Sequence, residues 1–163
     1  MNIVMLGYRG TGKSVIAKIL SKELRRQLYR IDDLIAQTAG KSISEFVQQE
    51  GWPSFRKLES DVVSRVAGEA QGSIIDCGGG VVLDDKNMVL LKKEGKCVLL
   101  TASLSAIIRR IKKDRNRPAL RNRPAKAFRQ IKSYVNGLVS TRLPEELEFV
   151  EEHLEEDTYG FDY

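Results

Sequence analysis

Gly7, Gly12, Lys13 and Ser14 stand at a spacing that can do chemistry. The stretch Gly7-Tyr8-Arg9-Gly10-Thr11-Gly12-Lys13-Ser14 matches the phosphate-loop pattern of two glycines five positions apart followed by lysine and serine. Glycines let a backbone turn its N–H groups inward around a polyphosphate, and a helix starting behind them adds partial positive charge. A lysine in the next position reaches the β- and γ-phosphates, and a serine hydroxyl can hold a magnesium ion. Gly10, Thr11, Gly12, Lys13, Ser14 and Val15 are therefore expected to bind ATP with Mg2+. The competing explanation is a glycine-rich turn with an incidental lysine. Against it stand the apolar run Ile3-Val4-Met5-Leu6 before the loop and the amphipathic run after it.

Carboxylates and guanidiniums recur at places where such a loop could use them. Asp32 and Asp33 end the short β-prone run 28–31, and ligands of open α/β sheets bind at strand carboxyl ends. Either aspartate could instead be first-turn charge of a helix over 34–39; at least one is expected to face the site. Arg56 and Glu59 lie three apart on one helical face, as a surface ion pair or as part of a site. Ser73-Ile74-Ile75-Asp76 is a strand ending in a carboxylate, as magnesium-associated aspartates do, and Gly78-Gly79-Gly80 implies close backbone approach to a ligand. From Arg109 to Arg129 ten basic residues face the single acid Asp114, and Pro118 and Pro124 interrupt helix there. A basic lid over transferring phosphates, about residues 112–124, is the expected result.

The elements that must position these groups follow from periodicity. Val15, Ile16, Ile19, Leu20 and Leu24 form one face of a helix over 13–25. Gly40 stops the helix over 34–39, Ser42 and Glu45 form a capping box for one over 43–49, and Gly51-Trp52-Pro53 breaks that helix before another begins. Helices over 85–93, 103–113 and 125–139 and a strand over 97–100 complete an α/β pattern.

At 163 residues the chain has room for one domain, 1–163. The formal charge of +5 is uneven: the tail 145–163 carries 9 acidic residues and no Lys or Arg. Subtracting those 9 from the 22 acidic residues leaves 13 against 27 basic ones in the body. A basic body suits anionic small molecules; nucleic acid is disfavoured because no aromatic residues interleave with the arginines. No apolar stretch approaches 18 residues and the first residues read as a strand, so no transmembrane helix, membrane partner or secretory signal is expected. A cytoplasmic monomer is the expectation. Cys77 and Cys97 are expected as buried thiols, and His153, the one histidine, lies in the acidic tail away from them.

Taken together, these residues resemble the shikimate kinase family, small phosphate-loop kinases of the adenylate-kinase-like type. The resemblance runs from residue 1 to about 144. Its markers are the loop 7–14, Asp32-Asp33-Leu34-Ile35, Gly40-Lys41-Ser42-Ile43, Phe55-Arg56 with Glu59, Gly78-Gly79-Gly80, Arg117-Pro118-Ala119-Leu120 and Arg142-Leu143-Pro144. It implies a three-layer fold with a five-stranded parallel sheet, a helical substrate-binding region at about 32–60, and a lid. It also implies ATP-dependent phosphorylation of the 3-hydroxyl of shikimate. Asp32 would orient the nucleophile, Arg56 and Arg142 would clamp the carboxylate, and Gly79 and Gly80 would offer backbone N–H groups. Lys13 and Arg117 would hold the transferring phosphoryl group, Ser14 the magnesium, and Arg110 the adenine face. Other kinases of small hydroxylated acids or nucleotides, or an inactive ATP-binding module, share the same loop.

The chain departs from the family pattern in ways that bear on this. Aligning Asp-x-Asp on Ile35 makes Asp32 its second aspartate and puts Arg30 at the first, magnesium-associated position. Asp76 stands where a small residue is usual and is expected to supply the missing charge from the neighbouring strand. Glu146 replaces a tyrosine, Trp52 a glutamate, and Glu148-Phe149-Val150-Glu151-Glu152 the apolar final strand.

Overall fold

The computed structural model describes residues 1–113 and 149–151. Ile3 to Leu6 is apolar at every position, as befits a strand covered on both faces. It forms β1 (Asn2–Gly7), the centre of a parallel sheet with β2 (Leu28–Arg30), β3 (Ile74–Asp76), β4 (Gly95–Thr101) and β5 (Phe149–Glu151). The order across the sheet is β2-β3-β1-β4-β5. Val4 and Leu6 join a core with Ile35, Phe55, Val62, Val66 and Leu91 on one side. Met5 joins Ala17, Ile74 and Leu100 on the other. Helices therefore cover both faces: α1 (Lys13–Leu24) one, and α2 (Ile31–Ala39), α3 (Ile43–Glu69) and α4 (Asp85–Glu94) the other. A 3-10 turn, Val81–Leu83, precedes α4, and α5 (Leu104–Lys113) follows β4.

The order puts β1 between β3 and β4, where successive connections depart in opposite directions along the sheet. Such a switch point opens a crevice at the strand carboxyl ends, and the loop 7–14 begins there. Register fixes what surrounds it: Met5 pairs with Asp76, and Asp76 in turn with Arg30. Asn2 anchors the far end, its Nδ2 donating to Ala70 O at 3.0 Å and its Oδ1 accepting from Ser73 N at 2.9 Å.

Three local expectations are corrected. Ile31 opens α2 rather than ending a strand, so Asp32 and Asp33 lie in the first helical turn, where the helix dipole favours negative charge. On α1, Val15 and Ile19 are 53% exposed. The inward line is Lys13, Ile16, Ala17 and Leu20, rotated because Lys13 is turned under the loop. The final strand forms despite its flanking glutamates, Phe149–Glu151 pairing with Leu99, Leu100 and Thr101. Other expectations hold. Gly40 is a left-handed cap at φ 65°, the Ser42–Glu45 box is closed, and Gly51 at φ 80° and ψ 169° kinks α3 before Pro53.

Candidate active site

Gly7, Gly10 and Gly12 all have positive φ, at 141°, 84° and 103°. At Gly7 a side chain would also collide with the Leu100 carbonyl, so this turn demands glycine twice over. The turned loop gathers donors on the Tyr8 carbonyl: Thr11 Oγ1 at 2.8 Å, Thr11 N at 3.3 Å and Lys13 Nζ at 3.0 Å. Lys13 is buried, and α1 starts with no side-chain cap, leaving its positive end directed at the loop. Arg110, on α5, donates from Nη1 to Gly10 O at 3.1 Å.

Beside the loop, Asp76 at the end of β3 is 6% exposed. Burial pushes its carboxyl above the usual range, opposed by a hydrogen bond from the Ser14 side chain and by the charges of Lys13 and Arg30. Arg30 pairs with Asp33 through Nη1, while its Nε lies 3.8 Å from Asp76 Oδ2.

The triple-glycine turn joins the loop to a second group of side chains. A Cβ on Gly79 would lie 3.3 Å from Arg9 N, against the loop. On Gly78 it would lie 2.8 Å from Asp32 Oδ1 and 3.2 Å from Glu59 Oε1, and on Gly80 it would strike the Arg56 guanidinium. Arg56 Nη1 pairs with Glu59 Oε2. The guanidinium carbon lies 5.4 Å from the Trp52 ring centre and 5.1 Å from that of Phe55, and the two rings meet edge to face. Burial raises the Glu59 carboxyl, Arg56 opposes it, and Asp84 adds to it.

A polyphosphate cradle and a guanidinium–carboxylate group thus face one turn of three glycines. The profile of the family described as shikimate kinase matches residues 9–141. The chain belongs to the shikimate kinase family. It is 41% identical over 121 residues to a shikimate kinase of Geobacter sulfurreducens, covering 74% of this chain and 66% of that one. It is 39% identical over 145 residues to a shikimate kinase of Syntrophus aciditrophicus, covering 89% and 68%. The chain thus spans about two thirds of the length of these relatives. The fold resembles the Acinetobacter baumannii shikimate kinase in complex with shikimate at TM-score 0.75 and 25% identity, covering 85% of this chain and 75% of that one. The Aquifex aeolicus shikimate kinase gives TM-score 0.73 at 25% identity, covering 83% and 80%.

In this member of the shikimate kinase family the structure brings together Gly10, Thr11, Gly12, Lys13, Ser14 and Asp76 on one side. Asp32, Arg56, Gly79 and Gly80 meet on the other. Val15 follows the loop on an exposed part of α1, and Arg110 rests on the loop backbone. Arg117, Arg142, nearly all of the lid at 112–124, the helix over 125–139 and the tail apart from β5 lie outside the described residues.

Sequence reasoning undervalued Glu59. Its pair with Arg56 is no surface bridge, since Glu59 is 2% exposed. The signal was available: Phe55, Glu59, Val62, Val63 and Val66 share the helical spacing of a buried face. Gly78 was also missed as the point where Asp32 and Glu59 converge; nothing local marks that contact.

Proposed function

We propose that this chain transfers the γ-phosphoryl group of ATP to the 3-hydroxyl of shikimate, giving ADP and shikimate 3-phosphate, as a monomer in the cytoplasm. The observation that carries this reading is the Gly78–Gly80 turn. It sits against the phosphate loop at Gly79 and against Asp32 and Arg56 at its flanks, so donor and acceptor sites share one wall. Arg56 offers a planar guanidinium to the acid's carboxylate, already oriented by Glu59 and two aromatic rings. Arg142 is the second clamp, and the backbone of Gly79 and Gly80 donates to the same acid. Asp32 orients the 3-hydroxyl and accepts its proton as the oxygen bonds to the γ-phosphorus and the bond to the bridging oxygen of ADP breaks. Lys13 leaves the Tyr8 carbonyl for the transferring phosphoryl oxygens, Arg117 holds the same group, and Arg110 covers the adenine side. Catalysis of this kind is positioning and charge stabilisation, with no covalent intermediate.

Ser14 and Asp76 fit a magnesium ion: both present hard oxygen, and the Ser14 side chain acts on the Asp76 carboxyl as a hydrogen-bonding neighbour. Among the described residues no three His, Cys, Asp or Glu side chains cluster, which agrees with magnesium held by one carboxylate, a hydroxyl and phosphates. Bound there, the ion would neutralise charge on the phosphate oxygens.

The test is ADP release measured over shikimate, gluconate and nucleoside monophosphates. Turnover with shikimate alone is the expected result. Turnover only with another acceptor, or ATP binding without turnover, would overturn the reading.

A further inference from the structure

Arg30 and Asp76 are register partners on adjacent strands, so their side chains emerge side by side at the carboxyl edge of the sheet. Their contact is loose. Arg30 Nε stands 3.8 Å from Asp76 Oδ2, too far for a hydrogen bond, and among the described residues it is the buried side-chain polar atom left without such a partner. The other end of the guanidinium is held tightly, Nη1 on Asp33 one helical turn along. Arg30 is thereby anchored by an outer carboxylate and aimed at an inner one. That inner carboxylate is the one beside Ser14 at the start of α1.

A fixed positive charge beside a buried carboxylate competes with any other cation for it, and partial burial keeps the interaction from being screened as a surface pair would be. We propose that Arg30, anchored by Asp33, is a built-in counter-cation that weakens divalent-cation binding at the Ser14–Asp76 pair. The inference rests on the nucleotide and metal site proposed above, but not on the identity of the acceptor. Removing the Arg30 charge should make Asp76 a better metal ligand, and this gain should vanish when Asp76 can no longer carry charge. Arg30 is thus a positioning residue for charge that sets how much free magnesium the site requires.

The test uses Mn2+ as probe, with ADP kept below the protein concentration so that all nucleotide is bound. Free Mn2+ is followed by electron paramagnetic resonance, and no acceptor is present. Arg30→Gln should tighten Mn2+ by roughly tenfold, equivalent to about 1.4 kcal/mol. Arg30→Lys, which keeps the charge, should stay near wild type. In an Asp76→Asn background, Arg30→Gln should change affinity by less than about twofold, since the coupled pair is already broken. Three results would overturn the proposal: unchanged or weaker Mn2+ binding in Arg30→Gln, an equal gain in the Asp76→Asn background, or no Mn2+ bound by any variant. None of them bears on which alcohol is phosphorylated. A far-ultraviolet circular dichroism spectrum of each variant checks that the fold is retained.

Discussion

Arg56 and Glu59 form an ion pair in which the carboxylate is buried and the guanidinium lies half open to the crevice, stacked beside Trp52 and Phe55. The buried partner holds; the open partner is available to bind. Arg56→Ala should therefore lower kcat/KM for shikimate about 100-fold, mainly through KM, because a charge-assisted carboxylate contact is worth roughly 1.5–3 kcal/mol. It should also cost roughly 1–3 kcal/mol of stability, reduced from a fully buried pair because the guanidinium is partly solvated.

That stability loss carries a sign in pH. The Glu59 carboxyl already lies above its usual range because of burial, and Arg56 is what pulls it down. Without Arg56 the folded chain holds its proton to higher pH than the unfolded chain, so stability falls as pH rises through that interval. Urea unfolding should show Arg56→Ala more strongly destabilised at neutral pH than in mild acid. Equal losses at both would assign the cost to lost packing on Trp52 and Phe55.

Two glycines separate steric demand from function. An alanine at Gly7 meets the backbone carbonyl of Leu100 with φ at 141°, and neither can yield, so Gly7→Ala should destabilise by about 3 kcal/mol or more. An alanine at Gly80, where φ is −103°, has the end of the Arg56 side chain as its nearest neighbour. Gly80→Ala should keep its melting temperature within about 3 °C while raising KM for shikimate roughly tenfold, because the guanidinium is displaced rather than the fold. A large melting shift with unchanged KM would contradict the placement of Arg56.

Lys13 donates to the Tyr8 carbonyl from a buried position under the phosphate loop, and its charge also acts on the Asp76 carboxyl. Lys13→Ala should reduce kcat by about 10²–10³-fold with a smaller effect on KM for shikimate. Steady-state kinetics checks this. Retained turnover would mean that the lysine stays on the loop backbone during transfer.

The parts of this site that sequence made legible are those whose demands are local. A glycine turn, a lysine at a helix start and an apolar strand before it each need only neighbouring residues, so the loop and β1 were readable together. The triple glycine was readable as close approach, but local pattern did not name its partners, because Asp32, Glu59 and Arg56 come from segments tens of residues away; the family resemblance alone linked Gly79 and Gly80 with Asp32 and Arg56, and gave Glu59 no role in the site. The start of α2 was misplaced because Ile31 is apolar and β-branched, suiting a strand or a buried helix alike. What decides is that β3 ends at Asp76, leaving Arg30 as the last residue β2 can pair. Likewise Phe149–Glu151 is too acidic to announce a strand, and its pairing is set by the exposed edge of β4.

Cys97 pairs in register with Val4 at the centre of the sheet, and burial pushes its thiol up from 9.0 to about 11, with Lys92 pulling weakly the other way. The unfolded chain releases this proton near 9.0 while the folded chain keeps it to about 11, so stability should fall across that window as pH rises. The contribution amounts to roughly 2–3 kcal/mol, from about 1.4 kcal/mol for each pH unit of the interval. Cys97→Ala removes it. Urea unfolding near pH 8 and near pH 11 should therefore show a steeper loss in the wild type than in Cys97→Ala, whatever the cavity costs at a single pH. Parallel losses in the two proteins would show that the thiol titrates alike in the folded and unfolded chains.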